Sequence, residues 1–364
     1  MKKKTIAFVI GSLYSGGAER VVSTLANKLT IKYNVVIIQL VHSEPFYKLN
    51  DDIKVVACNQ KSEKSKNLWQ AIGNNIRIIR RIVKFVKQEQ ISLLIGFITN
   101  VNILSIIASK ISGISCIISE RNNPKIENAP KKKWAGLTTI LYNKAKILVV
   151  QTKEIKVFFD KKMDSKKVVI LPNPLSEDLK IDFNIKKENI ILNVGRLTYQ
   201  KGQDLLIKAF SNINPENWKL VLVGVGNEKS NYIKLIDELE MNDKIFLVGQ
   251  KKDISKSYNN AKIFCFPSRF EGFPNALIEA MHMGLACVSA DCPTGPSELI
   301  DDGENGFLIN MDSVEELQEK LQLLINDEQL IQKFSKNGKK IVQNFEVETV
   351  AKEWDDYIQL ALKS

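Results

Sequence analysis

The chain has 364 residues, 44% of them hydrophobic and 26% charged, the balance of a soluble globular protein too long for one comfortable core. Its formal net charge of +11 favours an acidic partner such as a phosphate-rich substrate or an anionic membrane, but no recognition motif or basic–aromatic platform supports a nucleic-acid binder. Five cysteines without a CxxC pair imply reduced thiols in the cytosol, and two histidines, His42 and His282, leave little scope for a histidine metal site.

Short apolar runs at 5–10, 35–40, 93–98, 115–119, 147–150 and 168–171 are expected as strands, with amphipathic helices at 18–30 and 72–87 between them. "MKKKTIAFVIGS" runs into a turn and a helix instead of a long apolar segment with a cleavage site, so no secretory signal is read there. The window 101–119 contains Asn102, Lys110 and a Ser-Gly break, and reads as a helix followed by a buried strand instead of a membrane span. After the polar stretch "LPNPLSEDLKIDFNIKKEN", strands begin afresh at 190–194, 219–223, 245–248, 263–266 and 286–289, each followed by a loop and helix. Continuous apolar strands alternating with helices predict an α/β fold of doubly wound, Rossmann-like parallel sheets covered on both faces. The pattern places an N-terminal domain at 1–174, a linker at 175–187, a C-terminal domain at 188–345 and a final helix at 346–364 packing back on the first domain. Two such sheets would turn their carboxyl edges towards one central cleft, the edge where open α/β sheets bind ligands.

"GSLYSGGAERVV" (11–22) is a strand-to-helix loop whose Gly16 and Gly17 let backbone N–H groups approach a phosphate or sugar. Alone it fits a tight turn equally well, and it is not a GxGxxG fingerprint. "NVGRLTYQKGQDLLIKAF" (193–210) sets Arg196 and Lys201 at a strand's carboxyl end facing a helix N-terminus. Two cations there can hold a diphosphate without metal, although two solvated surface cations would look the same. No Asp-x-Asp is present to hold a divalent ion. "VGVGNE" (223–228) is another glycine-rich strand end, structural in character. In "FEGFPNALIEAMHMG" (270–284), Pro274 suits a first helical turn, so Asn275, Ala276 and Leu277 would present free N–H groups to a phosphate. Glu271 stands in the loop before that helix and Glu279 inside its apolar run, where a buried carboxylate needs donors. The competing reading is a Glu271 favoured by the helix dipole and a Glu279 paired with a nearby lysine. "SADCPTGPSELIDDGENGFLI" (289–309) reads as a turn-rich loop, a short helix and a strand.

Together "GGAER", "GRLTYQKG", "SRFEGFPNALIEAM" and "DCPTGPSELIDDGENGFL" closely resemble the motifs of glycosyltransferase family 4, retaining enzymes of the GT-B fold. The resemblance spans nearly the whole chain, and its most specific part is the Glu-x7-Glu element, Glu271 and Glu279. Its wording is similar to the bacterial branch that builds surface polysaccharides, lipopolysaccharide cores and lipid-linked glycans, often from N-acetylhexosamine or galactose donors. The resemblance implies a UDP-sugar donor, no cofactor and no metal. It assigns Glu279 to the donor's ribose hydroxyls, Glu271 to the donor sugar, and Arg196 and Lys201 to the departing diphosphate, whose charge grows in the transition state. The amides of Asn275, Ala276 and Leu277 with Gly16 and Gly17 would complete the phosphate cradle, and Phe273, Pro274, Gly195 and Gln250 join the donor-binding set. Retention by front-side attack belongs to the family and is visible in no spacing here. One departure stands out: many relatives carry a histidine after the fifth strand, where "ISERNNP" sets Arg121. The acceptor pocket would then use Arg121, Glu120 and Asn100, with Arg121 binding an acceptor phosphate or the acceptor hydroxyl handled differently. No catalytic base is assigned.

One basic helix keeps Ile72, Ile76, Ile79, Val83 and Val86 on one face and Arg77, Arg80, Arg81, Lys84 and Lys87 elsewhere, the pattern of a core-packed helix with a solvated side. "PKKKWAGLTTILYNKAK" sets Lys131, Lys132, Lys133 and Trp134 beside an apolar helix and is read as peripheral contact with anionic lipid. The expected partners are therefore a nucleotide sugar, a lipid-linked or glycan acceptor and the inner face of the cell membrane, with the protein cytoplasmic. Two rivals remain. A GT-B-shaped UDP-sugar epimerase would want acid/base residues that two histidines scarcely supply, and a non-catalytic nucleotide-sugar-binding subunit would not need Arg196, Lys201, Glu271 and Glu279 intact.

Overall fold

A computed structural model describes residues 3–61, 67–121 and 135–363. The chain divides into two compact units, Met1–Pro174 with Phe345–Ser364, and Leu175–Asn344. The first is built on a seven-stranded parallel sheet: β1 Thr5–Ile10, β2 Asn34–Val41, β3 Lys54–Asn59, β4 Ile91–Phe97, β5 Ser115–Ser119, β6 Ile147–Val150 and β7 Val168–Ile170, in the order β3-β2-β1-β4-β5-β6-β7. The second has six parallel strands: β8 Glu188–Val194, β9 Lys219–Val223, β10 Ile245–Leu247, β11 Ala261–Phe266, β12 Ala286–Ala290 and β13 Phe307–Ile309, in the order β10-β9-β8-β11-β12-β13.

The apolar runs are continuous because each sheet is covered on both faces. Along β1, Ile6, Phe8 and Ile10 enter one core cluster while Ala7 and Val9 enter another on the opposite face. The last helix, Val347–Leu362, belongs to the first unit and buries Val350, Trp354 and Ile358, with Trp354 stacked on Phe97 at 5.8 Å. Its buried Asp355 accepts from Lys32 Nζ at 2.5 Å, Tyr33 Oη at 2.6 Å and Gln359 Nε2 at 2.8 Å. The five cysteines are buried and free.

Three features depart from the sequence expectation. β3 went unforeseen, because it is an edge strand whose residues are mostly half-buried and begin with an exposed Lys54. The basic helix starts at Leu68, not at 72, because the Asn67 side chain accepts the Gln70 N–H at 2.8 Å and caps it earlier. Only Ile82 and Val86 of that helix are buried, whereas Leu68, Trp69, Ile72 and Ile76 are exposed, so core packing is confined to its C-terminal half. Lys131, Lys132, Lys133 and Trp134 lie outside the described residues. Residues 101–119 form most of the helix Thr99–Ser112 and β5, and among the described residues no helix is long and apolar enough to cross a membrane.

Each sheet changes winding direction once, between β1 and β4 in the first unit and between β8 and β11 in the second. The loops leaving those strands are the ligand-binding positions of open α/β sheets.

Candidate active site

In the second unit, the loop after β8 carries Arg196 and ends in a tight turn, Tyr199–Lys201. Gly202 follows at φ +65°, where an added Cβ would lie 2.1 Å from the Pro267 carbonyl oxygen; glycine lets this loop press directly on the loop leaving β11. At the neighbouring strand end Gly224, φ +152°, would set a Cβ 1.9 Å from the Gly195 oxygen. The loops after β8 and β11 are then bonded directly to each other. The Arg269 N–H donates to the Gln200 carbonyl at 2.8 Å, and Gln200 Nε2 donates to the Phe270 carbonyl at 2.9 Å.

The residues that follow these contacts, Lys201 and Glu271, form an ion pair with Nζ 2.6 Å from Oε1. Their side chains are 17% and 6% exposed, so the pair is largely withdrawn from water. Thr294 Oγ1 donates to the Glu271 carbonyl at 2.5 Å, holding the backbone behind the carboxylate. Arg196 is exposed, and no described carboxylate pairs with it. Gly195 and Phe273 are half-buried, Pro274 is buried and Gln250 is exposed beyond β10. Burial pushes the Cys292 thiol up to about 12, which removes it as a nucleophile.

Glu279 is buried in the helix Asn275–His282, and its Oε2 accepts the Tyr258 hydroxyl at 3.0 Å. A tyrosine hydroxyl thus answers the carboxylate. The three amides at the start of this helix are less open than expected. The Asn275 N–H donates to the Phe273 carbonyl and the Leu277 N–H to the Pro274 carbonyl, each at 3.0 Å, because the chain folds tightly around Pro274 before the helix begins. Two of the proposed donors are thus engaged within the turn.

In the first unit, Gly16 has an extended backbone and precedes the helix Gly17–Leu29; a Cβ there would meet Glu19 Oε2 at 2.1 Å. Asn100 is exposed in the first turn of the helix after β4, two positions beyond Ile98, whose φ of +77° is a strained conformation for a β-branched residue. Glu120 is buried and accepts Thr99 Oγ1 at 3.0 Å and Tyr142 Oη at 2.7 Å. Arg121 is buried too: its guanidinium bonds Asn173 Oδ1 and lies 4.6 Å from the Phe97 ring centroid and 5.9 Å from that of Trp354. Burial pulls this guanidinium down to about 9, against the opposing pull of Glu120. Of the three acceptor-side residues, then, only Asn100 presents its side chain freely to solvent. Among the described residues no group of three His, Cys, Asp or Glu side chains is placed to hold a metal ion.

Sequence reasoning missed two site residues, Tyr258 and Arg269. Nothing near either in the chain announces a partner, since Tyr258 reaches Glu279 across 21 positions and Arg269 reaches Asp204 across 65.

The family described as "Glycosyl transferases group 1" matches residues 176–341, the second unit almost entire. The chain is 30% identical over 352 residues to the GalNAc-α-(1→4)-GalNAc-α-(1→3)-diNAcBac-PP-undecaprenol α-1,4-N-acetyl-D-galactosaminyltransferase of Campylobacter jejuni, covering 96% of each sequence. The chain belongs to the group 1 glycosyltransferases. Another relative, the amylovoran biosynthesis glycosyltransferase AmsD of Erwinia amylovora, is 27% identical over 365 residues, covering 98% of this chain and 99% of AmsD. Among solved structures, Anabaena HepE in complex with UDP superposes with a TM-score of 0.78 at 18% identity, over 98% of this chain and 99% of HepE. The glycosyltransferase has the GT-B fold, with two parallel-sheet α/β units, and the two relatives are named for an undecaprenol-linked glycan and for amylovoran biosynthesis.

Proposed function

We propose that this protein is a retaining, family 4 transferase that moves a sugar, N-acetylhexosamine or galactose, from a UDP-sugar to a lipid-linked or surface-glycan acceptor without a metal ion. One observation carries the proposal: an ammonium and a carboxylate, Lys201 and Glu271, are held 2.6 Å apart at the switch point of the second sheet, with the buried Glu279 in the helix that follows. An incoming diphosphate competes with Glu271 for Lys201 and is joined by the exposed Arg196. As the glycosidic bond opens, negative charge grows on the diphosphate beside these cations, which lowers the barrier without a divalent ion. Glu271, freed from Lys201, orients the donor sugar, and Glu279 accepts from the ribose hydroxyls. The acceptor hydroxyl attacks the anomeric carbon from the face the diphosphate leaves and passes its proton to an oxygen of that departing diphosphate, so configuration is retained. On the acceptor side Asn100 makes contact, and the buried Arg121 and Glu120 support the strand ends around it.

The N-acetylgalactosamine in the name of the Campylobacter relative makes UDP-N-acetylgalactosamine the first donor to try, and its undecaprenyl diphosphate makes a lipid-linked acceptor the first partner. Such an acceptor would keep the protein peripheral on the inner face of the membrane. The test is a panel of UDP-sugars with short lipid-diphosphate glycans, run with and without EDTA, the anomeric configuration of the product read by NMR. No transfer from any donor refutes the transferase reading. Turnover lost in EDTA and restored by magnesium or manganese refutes metal independence, and an inverted product refutes retention.

A further inference from the structure

We propose that Arg269 is the positioning residue of the donor site, tying three loops into one frame that fixes how Lys201 meets Glu271. The inference rests on the functional reading above. Arg269 lies just before the Glu271 loop, its side chain 9% exposed and its guanidinium 4.0 Å from the Tyr199 ring centroid. Nη1 donates to the Tyr199 carbonyl at 2.7 Å and to Asp204 Oδ1 at 2.9 Å, and Nη2 donates to Asp204 Oδ2 at 2.7 Å. Nε donates to Asp312 Oδ1 at 2.6 Å, drawing in the loop after β13, where Asp312 itself sits at φ +61°. With its own N–H bonded to Gln200, Arg269 contacts Tyr199 and Gln200 just before Lys201 and Asp204 three positions after it, while preceding Glu271 by two positions.

This arrangement uses the planar fork of a guanidinium, which a lysine ammonium cannot reproduce. It also supplies what the Lys201–Glu271 pair lacks. A lysine on a flexible stem has no fixed geometry of its own, and a displacement of about 1 Å in a reacting group can cost about a hundredfold in rate. The pair is short because its two loops are not free to drift.

Arg269→Lys keeps the charge and loses the fork, so kcat falls about 10- to 100-fold while KM for the donor changes less than about threefold. Asp312→Asn takes the charge from one tie, at a partner that is 57% exposed, and lowers kcat by a smaller factor with the fold unaffected. In a Glu271→Gln background Arg269→Lys adds little, because the frame has lost the contact it sets; a purely structural loss would multiply in full. The Lys201 ammonium, protected in its ion pair, gives an NMR signal that Arg269→Lys abolishes. Undiminished kcat in both single variants, or a full multiplicative loss in the Glu271→Gln background, overturns the proposal. So does persistence of the Lys201 signal in Arg269→Lys, whether or not any donor turns over. Absence of turnover in the wild type with loss of that signal in the variant refutes the transferase reading alone.

Discussion

Replacing Lys201 by alanine should do more than slow the proposed reaction. It leaves the Glu271 carboxylate, 6% exposed, without the ammonium 2.6 Å away. At that distance Coulomb's law gives roughly 6 kcal/mol of gross attraction at an effective dielectric near 20, before the desolvation of both groups is subtracted. Breaking a pair this buried by removing one partner typically costs about 3–5 kcal/mol, and the partial exposure of Lys201 points to the low end. For a unit of this size about 3 kcal/mol lowers the melting temperature by roughly 6–12 °C. Adding Glu271→Gln to Lys201→Ala removes the stranded charge, so the double variant should recover most of that loss. Its turnover should stay depressed about a hundredfold or more, as for loss of groups that stabilise transition-state charge. Urea denaturation and thermal melts of the wild type, both singles and the double form a complete cycle. Strictly additive stability changes would refute the claim that the pair is energetically coupled. Near-normal turnover in the double would show that the chemistry lies elsewhere.

Gly202→Ala should cost at least about 2–3 kcal/mol, because left-handed strain adds to a clash with a backbone oxygen, whereas Gly249→Ala, φ +72° with nothing near its Cβ, should cost roughly 1. Equal losses in denaturant titrations would remove the close approach from the account. For Asp355, burial alone would raise the carboxyl, but donors from Lys32, Tyr33 and Gln359 hold it below its ordinary range. A depressed folded pKa contributes stability that is present above the unfolded carboxyl value of about 3.9 and disappears as pH falls through the folded one. Asp355→Asn should therefore flatten the acid side of the stability profile measured from pH 7 to 3, and identical acid slopes would contradict it. Replacing Lys131, Lys132 and Lys133 by glutamine should weaken sedimentation with anionic vesicles about a hundredfold at low salt, at roughly 1 kcal/mol per residue, and leave transfer to a soluble short acceptor little changed. Equal sedimentation of the two proteins would return those lysines to solvent.

Strands buried on both faces were legible because burial forces an unbroken apolar run, as in "TIAFVI" of β1. β3 was not, since a half-buried edge strand has no such constraint. The position of Glu271 and Lys201 could be read from local loop chemistry: a proline opening a helix, and a glycine after a basic turn. Their mutual pairing could not, because it spans 70 positions and depends on how closely Gly202 lets two loops approach. The same limit hid Tyr258 and Arg269, whose partners are set by tertiary packing. The free amides expected at residues 275–277 failed for a local reason: the turn around Pro274 takes two of them, at Asn275 and Leu277, in the helix's first turn.

The placement of the last helix has a consequence during synthesis. Trp354, Ile358 and Ala361 close the first unit's core, yet the entire second unit is encoded between them and Pro174. On the ribosome the first sheet must wait for its final helix for roughly 10–30 s at ordinary elongation rates. Through that interval one face, with Phe8 and Phe97 at its centre, lacks the Trp354 ring that covers it in the finished protein. The second unit has no such debt to residues still unmade and can close first. The nascent chain would thus complete its domains in the reverse of their order of emergence, with the first half the natural client of a chaperone.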